Sequence, residues 1–363
     1  MRLHPSDLSV WTTGTWVNDG NVGSINGFCQ DTRKLRSGQC FLAIRTLKDD
    51  GHRYLKEASD RGASAALVEK IDADVPLPQL QVSDVPKAFQ TIARRVRRQL
   101  TLPVVAVTGS YGKTTVKDLL ACLLGHAVTA KSPGNFNNGL GLPLSMAQTD
   151  PVLHRYAVWE LAVSRPGEME VLGGMAQPDW GIVLNVAPAH TAFFEGSVEA
   201  VAEEKSVLLR HVRPSGTCLF PFSLLRYPCF ASHVSRAFVL CRPSEAASVD
   251  LARTLIYETQ RSDQGRWKLS LQGNGFRHTF DIPFLLTEGF LSTFAVALFV
   301  ALWMGVPASV LEDRLATWKP SLHRGEWRTV GSRRFFVDCY NANPVSMLES
   351  VRTFQMQAPS RWP

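Results

Sequence analysis

At 363 residues, with 45% hydrophobic and 20% charged side chains, the chain has the composition of an ordinary folded protein, long enough for two or three domains. The net charge of +7 and pI near 9.1 suit an anionic partner, and with the basic residues scattered an anionic nucleotide fits as well as nucleic acid does; the partner expected is the nucleotide, with no nucleic acid. Seven cysteines, an odd number without a CxxC pair, exclude a disulfide framework or a zinc pattern and point to a reducing cytoplasm.

The opening MRLHPSDLSVW holds no apolar signal core, so export is not expected. Residues 1–98 read as a compact α/β module. Cys40 to Ile44 and Ala65 to Val68 form its strands, and Tyr54 to Arg61 and Pro86 to Leu100 its helices. The second helix repeats apolar residues at Ala88, Phe89, Ile92, Ala93 and Val96, with Arg94, Arg95, Arg97 and Arg98 on a solvated face. Asp31, Thr32 and Arg33 lie in a loop beside a strand, where they could meet an anionic substrate or simply form a turn.

Residues 99–318 read as a central domain. Val104 to Val107 form a short buried strand, and Val116, Leu119, Leu120, Leu123 and Leu124 recur at helical spacing behind it. Between them Gly109, Ser110, Tyr111, Gly112, Lys113, Thr114 and Thr115 make a strand-to-helix turn suited to hold a phosphate. Lys113 supplies a point charge and the Thr114 hydroxyl a Mg²⁺ ligand. This GxxGKTT loop is narrower than the general P-loop, since Val107 stands where that pattern has its first glycine. The SPGNFNNGLGLP run at 132–143 follows as a candidate binding loop, equally readable as a connector.

Strands at Tyr156 to Leu161 and Gly181 to Leu184 alternate with helices around Gly167 to Met175 and Val198 to His211. That alternation predicts a parallel sheet with its site at the carboxyl ends of the strands. Glu160 and His190 fall at those ends and become metal-ligand candidates beside a phosphate loop. On the Val198 helix, Lys205 occupies the apolar stripe of Val198, Val201, Ala202, Leu208 and Leu209, while Glu203 and Glu204 point elsewhere. A desolvated lysine favours its neutral, reactive amine. Residues 217–283 continue the domain with strand-like runs at Ala237 to Cys241 and Trp267 to Leu271. The uncharged stretch from Gly289 to Leu311 is a buried helix ended by Gly305 and Pro307 rather than a membrane span. Pro320 and the Ser321 to Gly325 turn open a linker, and Phe335 to Val337 lead into Asp338-Cys-Tyr-Asn-Ala-Asn-Pro344. Residues 319–363 read as the incomplete beginning of a third domain.

Together GSYGKTT, SPGNFNNGLGLP, the Glu160 strand end, NVAPAH at 185–190, the lysine helix and DCYNANPVSM at 338–347 resemble the Mur ligases. The GSYGKTT, NFNN and YNANP forms resemble the branch that adds D-alanyl-D-alanine to UDP-N-acetylmuramoyl-tripeptide. Asp31-Thr-Arg33, with Asp50-Gly-His52 downstream, is similar to that branch's UDP-substrate domain. The resemblance implies an α/β fold of three parts: a substrate-binding N-terminal domain, a central parallel-sheet ATPase domain and a Rossmann-like C-terminal domain, here truncated. It implies a cytoplasmic, monomeric, ATP-dependent amide ligase of peptidoglycan precursor synthesis, acting through an acyl phosphate. Lys113 would bind phosphate, Thr114 and Glu160 one Mg²⁺, and His190 and a carbamylated Lys205 a second metal. Asp338 would meet the ATP ribose, Arg324 the phosphates, Asn138 the nucleotide and Asn137 the peptide substrate. The family's HNxxN segment is replaced by Gly289-Phe-Leu-Ser-Thr293, which leaves its asparagine contact to adenine without a counterpart. The alternative expectation is a truncated, catalytically impaired nucleotide-binding homologue.

Overall fold

The computed structural model describes residues 2–18, 22–188, 191–249, 253–262, 266–273, 275–284 and 287–357. It divides into two compact units. One takes the chain up to Leu102 together with Ser132–Arg155 and Gly174–Ala176; the other takes Pro103–Lys131, Tyr156–Gly173 and the chain from Gln177 onward.

The first unit opens with α1 (Pro5–Thr12), β1 (Thr15–Val17), β2 (Phe28–Cys29) and β3 (Cys40–Leu42). It continues through α2 (Leu55–Asp60), β4 (Ala65–Val68), β5 (Gln79–Gln81) and α3 (Val85–Gln99). Its sheet has the order β1-β5-β4-β3-β2, parallel except for the β1/β5 pair. α3 begins where the Asp84 carboxylate accepts the Lys87 N–H and Pro86 occupies the first turn, the signals that start a helix. Ala88, Phe89, Ile92 and Val96 then bury one stripe against the sheet, as their spacing predicts. Arg97 departs from the expected solvated face. It is fully buried, with Nε donating to the Ala176 carbonyl at 2.7 Å and a guanidinium N–H to the Leu100 carbonyl at 3.1 Å. Helical periodicity cannot foresee a carbonyl brought in from 79 residues away.

The chain continues with β6 (Val104–Thr108), α4 (Lys113–Leu124), β7 (Thr129–Lys131) and α5 (Gly141–Ala147). Next come β8 (Tyr156–Glu160), α6 (Glu168–Ala176), β9 (Trp180–Val183), α7 (Val198–Arg210) and β10 (Thr217–Pro221). The short α8 (Pro228–Ala231), β11 (Ala237–Cys241) and α9 (Pro243–Ala246) lead to β12 (Thr254–Arg261), β13 (Trp267–Gly273) and β14 (Phe276–Ile282). Two helices, α10 (Glu288–Trp303) and α11 (Ala308–Thr317), precede β15 (Arg324–Val330), β16 (Arg333–Asp338) and α12 (Pro344–Gln357).

The large sheet has the order β14-β13-β12-β11-β10-β9-β6-β8-β7. It is parallel from β7 to β12 and antiparallel through β12, β13 and β14. α4, α10 and α11 cover one face in a single apolar cluster, and α7 and α8 contribute to another cluster with β9, β10 and β11. Each Leu, Val or Phe removed from water there contributes roughly 1.5–3 kcal/mol. Gly181 lets α7 lie close on β9, since a Cβ there would come within 2.4 Å of Val212. The uncharged stretch forms two helices rather than one: α10 ends before Gly305, whose φ of +82° reverses the chain, and Pro307 precedes α11. No helix among the described residues is long and apolar enough to cross a membrane.

Candidate active site

β6 lies between β8 and β9, so the loop that follows it opens where the strand order reverses. Gly112, with φ +79°, adopts the left-handed turn that lets α4 begin at Lys113, and the helix leaves its first N–H groups without intrahelical partners. The loop is clamped from β9's continuation by a residue that spacing did not single out. Asn185 Oδ1 accepts the Ser110 and Tyr111 N–H groups at 2.9 and 3.1 Å, and its amide donates to the Tyr111 carbonyl at 3.2 Å. The Ser110 hydroxyl donates to the Ala187 carbonyl at 3.1 Å and accepts the Ala187 N–H at 2.9 Å. An anion would therefore meet the loop through the N–H groups at the start of α4 rather than through Ser110 and Tyr111.

Thr114 and Glu160 come together as the sequence predicts. Glu160 is buried at the end of β8, and its Oε2 accepts the Thr114 hydroxyl at 2.8 Å. The buried Lys117 Nζ stands 3.8 Å from the same oxygen. Lys113 curls back so that its Nζ donates to the Gly109 carbonyl at 2.7 Å. Burial first, and the Arg324 charge with it, hold the Lys113 ammonium below its usual range, while Glu160 acts in the opposite direction.

Lys205 is 4% exposed on α7, as the apolar stripe predicts. Burial, and then the charge of Lys113, push its pKa down to about 7, which leaves a substantial share of neutral amine near neutrality. Glu204 does not point away from the interior as its position off the stripe suggested. It is buried, and its two carboxylate oxygens accept the Gly167 and Met169 N–H groups at 2.8 and 2.6 Å, which caps α6. That partner lies 35 residues away, so neighbouring letters held no signal for it. His190 lies outside the described residues.

Asp338 and Arg324 face each other in the register of β15 and β16. The Arg324 guanidinium lies 4.1 Å from the centre of the Tyr340 ring, and the Ser350 hydroxyl donates to the Asp338 carboxylate. At the start of α10, where an asparagine contact was missing, the Thr287 hydroxyl donates to the Glu349 carboxylate of α12, and Thr293 lies beside Gly112.

The remaining candidates belong to the first unit. Asp31 and Arg33 pair through two hydrogen bonds of 2.8 and 2.9 Å; the Arg33 side chain is largely exposed and Thr32 is buried. This pairing holds the Asp31 carboxyl below its usual range. Asn138 Oδ1 accepts the Leu140 and Gly141 N–H groups at 3.1 and 2.9 Å, so it shapes the entry to α5; Asn137 lies beside it in the same turn. His52 accepts the Glu69 and Lys70 N–H groups at Nε2, which puts its proton on Nδ1, 2.6 Å from Asp50.

Among the described residues no three His, Cys, Asp or Glu side chains gather as a metal site. A hydroxyl and a carboxylate beside a phosphate loop nonetheless match the hard oxygen donors that Mg²⁺ takes together with phosphate oxygens and water.

Comparison with known proteins agrees with this geometry. Residues 107–274 match the Mur ligase middle domain. Over that stretch the chain is similar to the Mur ligases. Over 98% of its length it superposes on a crystal structure of MurF from Acinetobacter baumannii, covering 77% of that chain at a TM-score of 0.83 and 26% identity. MurF ligase from Thermotoga maritima in complex with ADP gives a TM-score of 0.74 at 26% identity, covering 91% of this chain and 74% of that one. The UDP-N-acetylmuramoyl-tripeptide--D-alanyl-D-alanine ligase of Synechocystis is 37% identical over 198 residues, 54% of this chain. The chain spans 43% of that relative's length and 48% of the corresponding Haemophilus influenzae ligase.

Proposed function

We propose that this protein is a Mur ligase, an ATP-dependent amide ligase that joins D-alanyl-D-alanine to UDP-N-acetylmuramoyl-tripeptide in peptidoglycan precursor synthesis. The observation that carries the reading is the Thr114–Glu160 hydrogen bond at the mouth of the phosphate loop, with the Lys113 charge acting toward both Glu160 and the buried Lys205. The Synechocystis and Haemophilus ligases to which the chain is similar support this choice of substrates.

A carboxylate is a poor electrophile, and phosphorylation turns one of its oxygens into a leaving group. ATP would transfer its γ-phosphoryl group to the tripeptide carboxylate, and the dipeptide amine would attack the acyl carbon. The tetrahedral adduct would then expel inorganic phosphate, with the amine proton passing to solvent or a nearby base. The protein's task is to hold two anions together. Lys113 supplies a positive charge to the phosphates, and the N–H groups that open α4 point at the same place. Thr114 and Glu160 would hold Mg²⁺, which screens phosphate charge when bound.

Lys205 is read as carbamylated, with His190 its partner at a second metal position. The support is the amine's pKa near 7: only a neutral amine adds to carbon dioxide, and this one is neutral in part at physiological pH. Arg324 is read as a phosphate contact, Asp338 as a ribose contact, and Asn138 as a nucleotide contact. Asp31, Thr32, Arg33 and Asn137 serve the UDP-peptide substrate. Residues 1–98, 99–318 and 319–363 are read as belonging to a substrate domain, an ATPase domain and a closing domain. We place the protein in the cytoplasm as a monomer.

The deciding experiment measures phosphate release from ATP with both substrates present and with each omitted. Release that needs both establishes the ligase. If the chain binds MgATP but releases no phosphate, the nucleotide-binding homologue takes its place.

A further inference from the structure

Asp118 sits on α4, five residues beyond Lys113, and three donors converge on its carboxylate. Lys131 Nζ, at the end of β7, reaches Oδ1 at 2.7 Å, and Lys117 Nζ stands 3.7 Å from the same atom. The Ser321 hydroxyl donates to the other oxygen, Oδ2. Lys117 is also the ammonium near Glu160, so one buried cation links the carboxylate of the phosphate site to the carboxylate that holds the linker.

Ser321 begins a turn fixed by hydrogen bonds at both ends. Its carbonyl accepts the Arg324 N–H at 3.1 Å. His323 is left-handed, with φ +63°, a conformation that costs a non-glycine residue about 1 kcal/mol or more and persists only when its surroundings enforce it. They do so here. The His323 N–H donates to Glu326 at 2.9 Å, and its carbonyl accepts the Cys339 and Tyr340 N–H groups at 3.2 and 3.3 Å. Tyr340 in turn carries the Arg324 guanidinium on its ring. The turn therefore moves as one piece with Arg324, and Asp118 ties that piece to the helix that begins at the phosphate loop. The Arg324 charge acts on both Lys113 and Lys117, which places it within electrostatic reach of the loop.

We infer that Asp118 is a positioning residue, which through Ser321 seats Arg324 at the phosphate site. The inference rests on the reading of that site as the ATP end of the ligase and adds how the linker is tied to it. Asp118 acts only through the turn: it touches no reacting atom.

A double-mutant cycle on the full chain tests this, with MgATP affinity measured by calorimetry and folding followed by circular dichroism. Ser321→Ala removes one hydrogen bond and should weaken MgATP binding about fivefold. Arg324→Ala should weaken it by about tenfold or more. In the Arg324→Ala background, Ser321→Ala should change nothing further, because a device that works through Arg324 has nothing left to place. Ser321→Thr, which keeps the hydroxyl, should restore the parental affinity, and Asp118→Ala, which leaves Ser321 no partner on α4, should behave as Ser321→Ala does. Additive losses in the double variant, or an unchanged affinity for Ser321→Ala, would overturn the inference while leaving the phosphate site intact. A parent chain that binds no MgATP would overturn the site reading and the inference together.

Discussion

Two helices lie side by side on one face of the large sheet and belong to the same apolar cluster, yet they bury different chemistry. α10 has no charged residue from Gly289 to Trp303 and buries eight consecutive positions from Phe294 to Ala301. α4 buries Leu119, Leu120 and Leu123 in the same cluster, but it also sinks Thr114 and Lys117 and keeps Asp118 mostly covered. Apolar burial needs only neighbours. A buried ammonium or carboxylate needs specific partners, and here they come from β7, β8 and the linker. The difference marks α10 as scaffold and the beginning of α4 as site.

The comparison predicts which changes should harm the fold and which the ligand. Leu298→Ala in α10 should lower unfolding free energy by about 2–5 kcal/mol, read as a fall in denaturation midpoint, with MgATP affinity of the folded fraction unchanged. A loss of affinity equal to that of a loop variant would erase the distinction.

Lys205 should make stability depend on pH. Its folded pKa, about 7, lies below the ordinary 10.5, so between those values the unfolded chain holds the proton and the folded one does not. Stability should therefore rise with pH across that window, and the penalty should be full below about pH 7. Against Lys205→Met in carbon dioxide-free buffer, the parent should gain up to about 4 kcal/mol from pH 7 to pH 10, at roughly 1.4 kcal/mol for each pH unit. Parallel stability curves for the two proteins would place the amine in water.

Lys113→Ala should weaken MgATP binding about 10- to 100-fold, the worth of one charge-assisted contact, with little change in the thermal midpoint. Calorimetry checks this, and unchanged affinity would take Lys113 out of the phosphate site. The smallest effect is expected for Gly112→Ala, which forces a side chain to φ +79° and should destabilise the fold by about 1–2 kcal/mol. A neutral result in chemical denaturation would mean the loop can relax into another turn.

Much of the scaffold was legible because burial leaves periodic traces. The Val104–Thr108 strand, the α3 stripe and the Lys205 position all follow from spacing, and the strand–helix alternation foretold the parallel sheet. What stayed hidden were polar residues whose partners are remote. Arg97 reads as one of four surface arginines until the Ala176 carbonyl is brought to it, and Glu204 reads as a solvated acid until α6 presents its first N–H groups. Asn185 sits in a motif noticed for His190, yet its own work is to hold the phosphate loop in shape.

The sequence by itself determined the glycine turn ahead of α4, the carboxylate at the end of β8 and the lysine on the buried stripe of α7. Each is declared by local residue types, either glycines that permit a turn or a polar letter interrupting an apolar period. Only the tertiary structure decided that Lys117 stands between Glu160 and Asp118, and that Ser321 closes on that same aspartate. The physical reason is distance along the chain. Hydrogen bonds and ion pairs that join residues more than forty, or two hundred, positions apart leave no periodicity, and they exist only once the sheet has set its strands side by side.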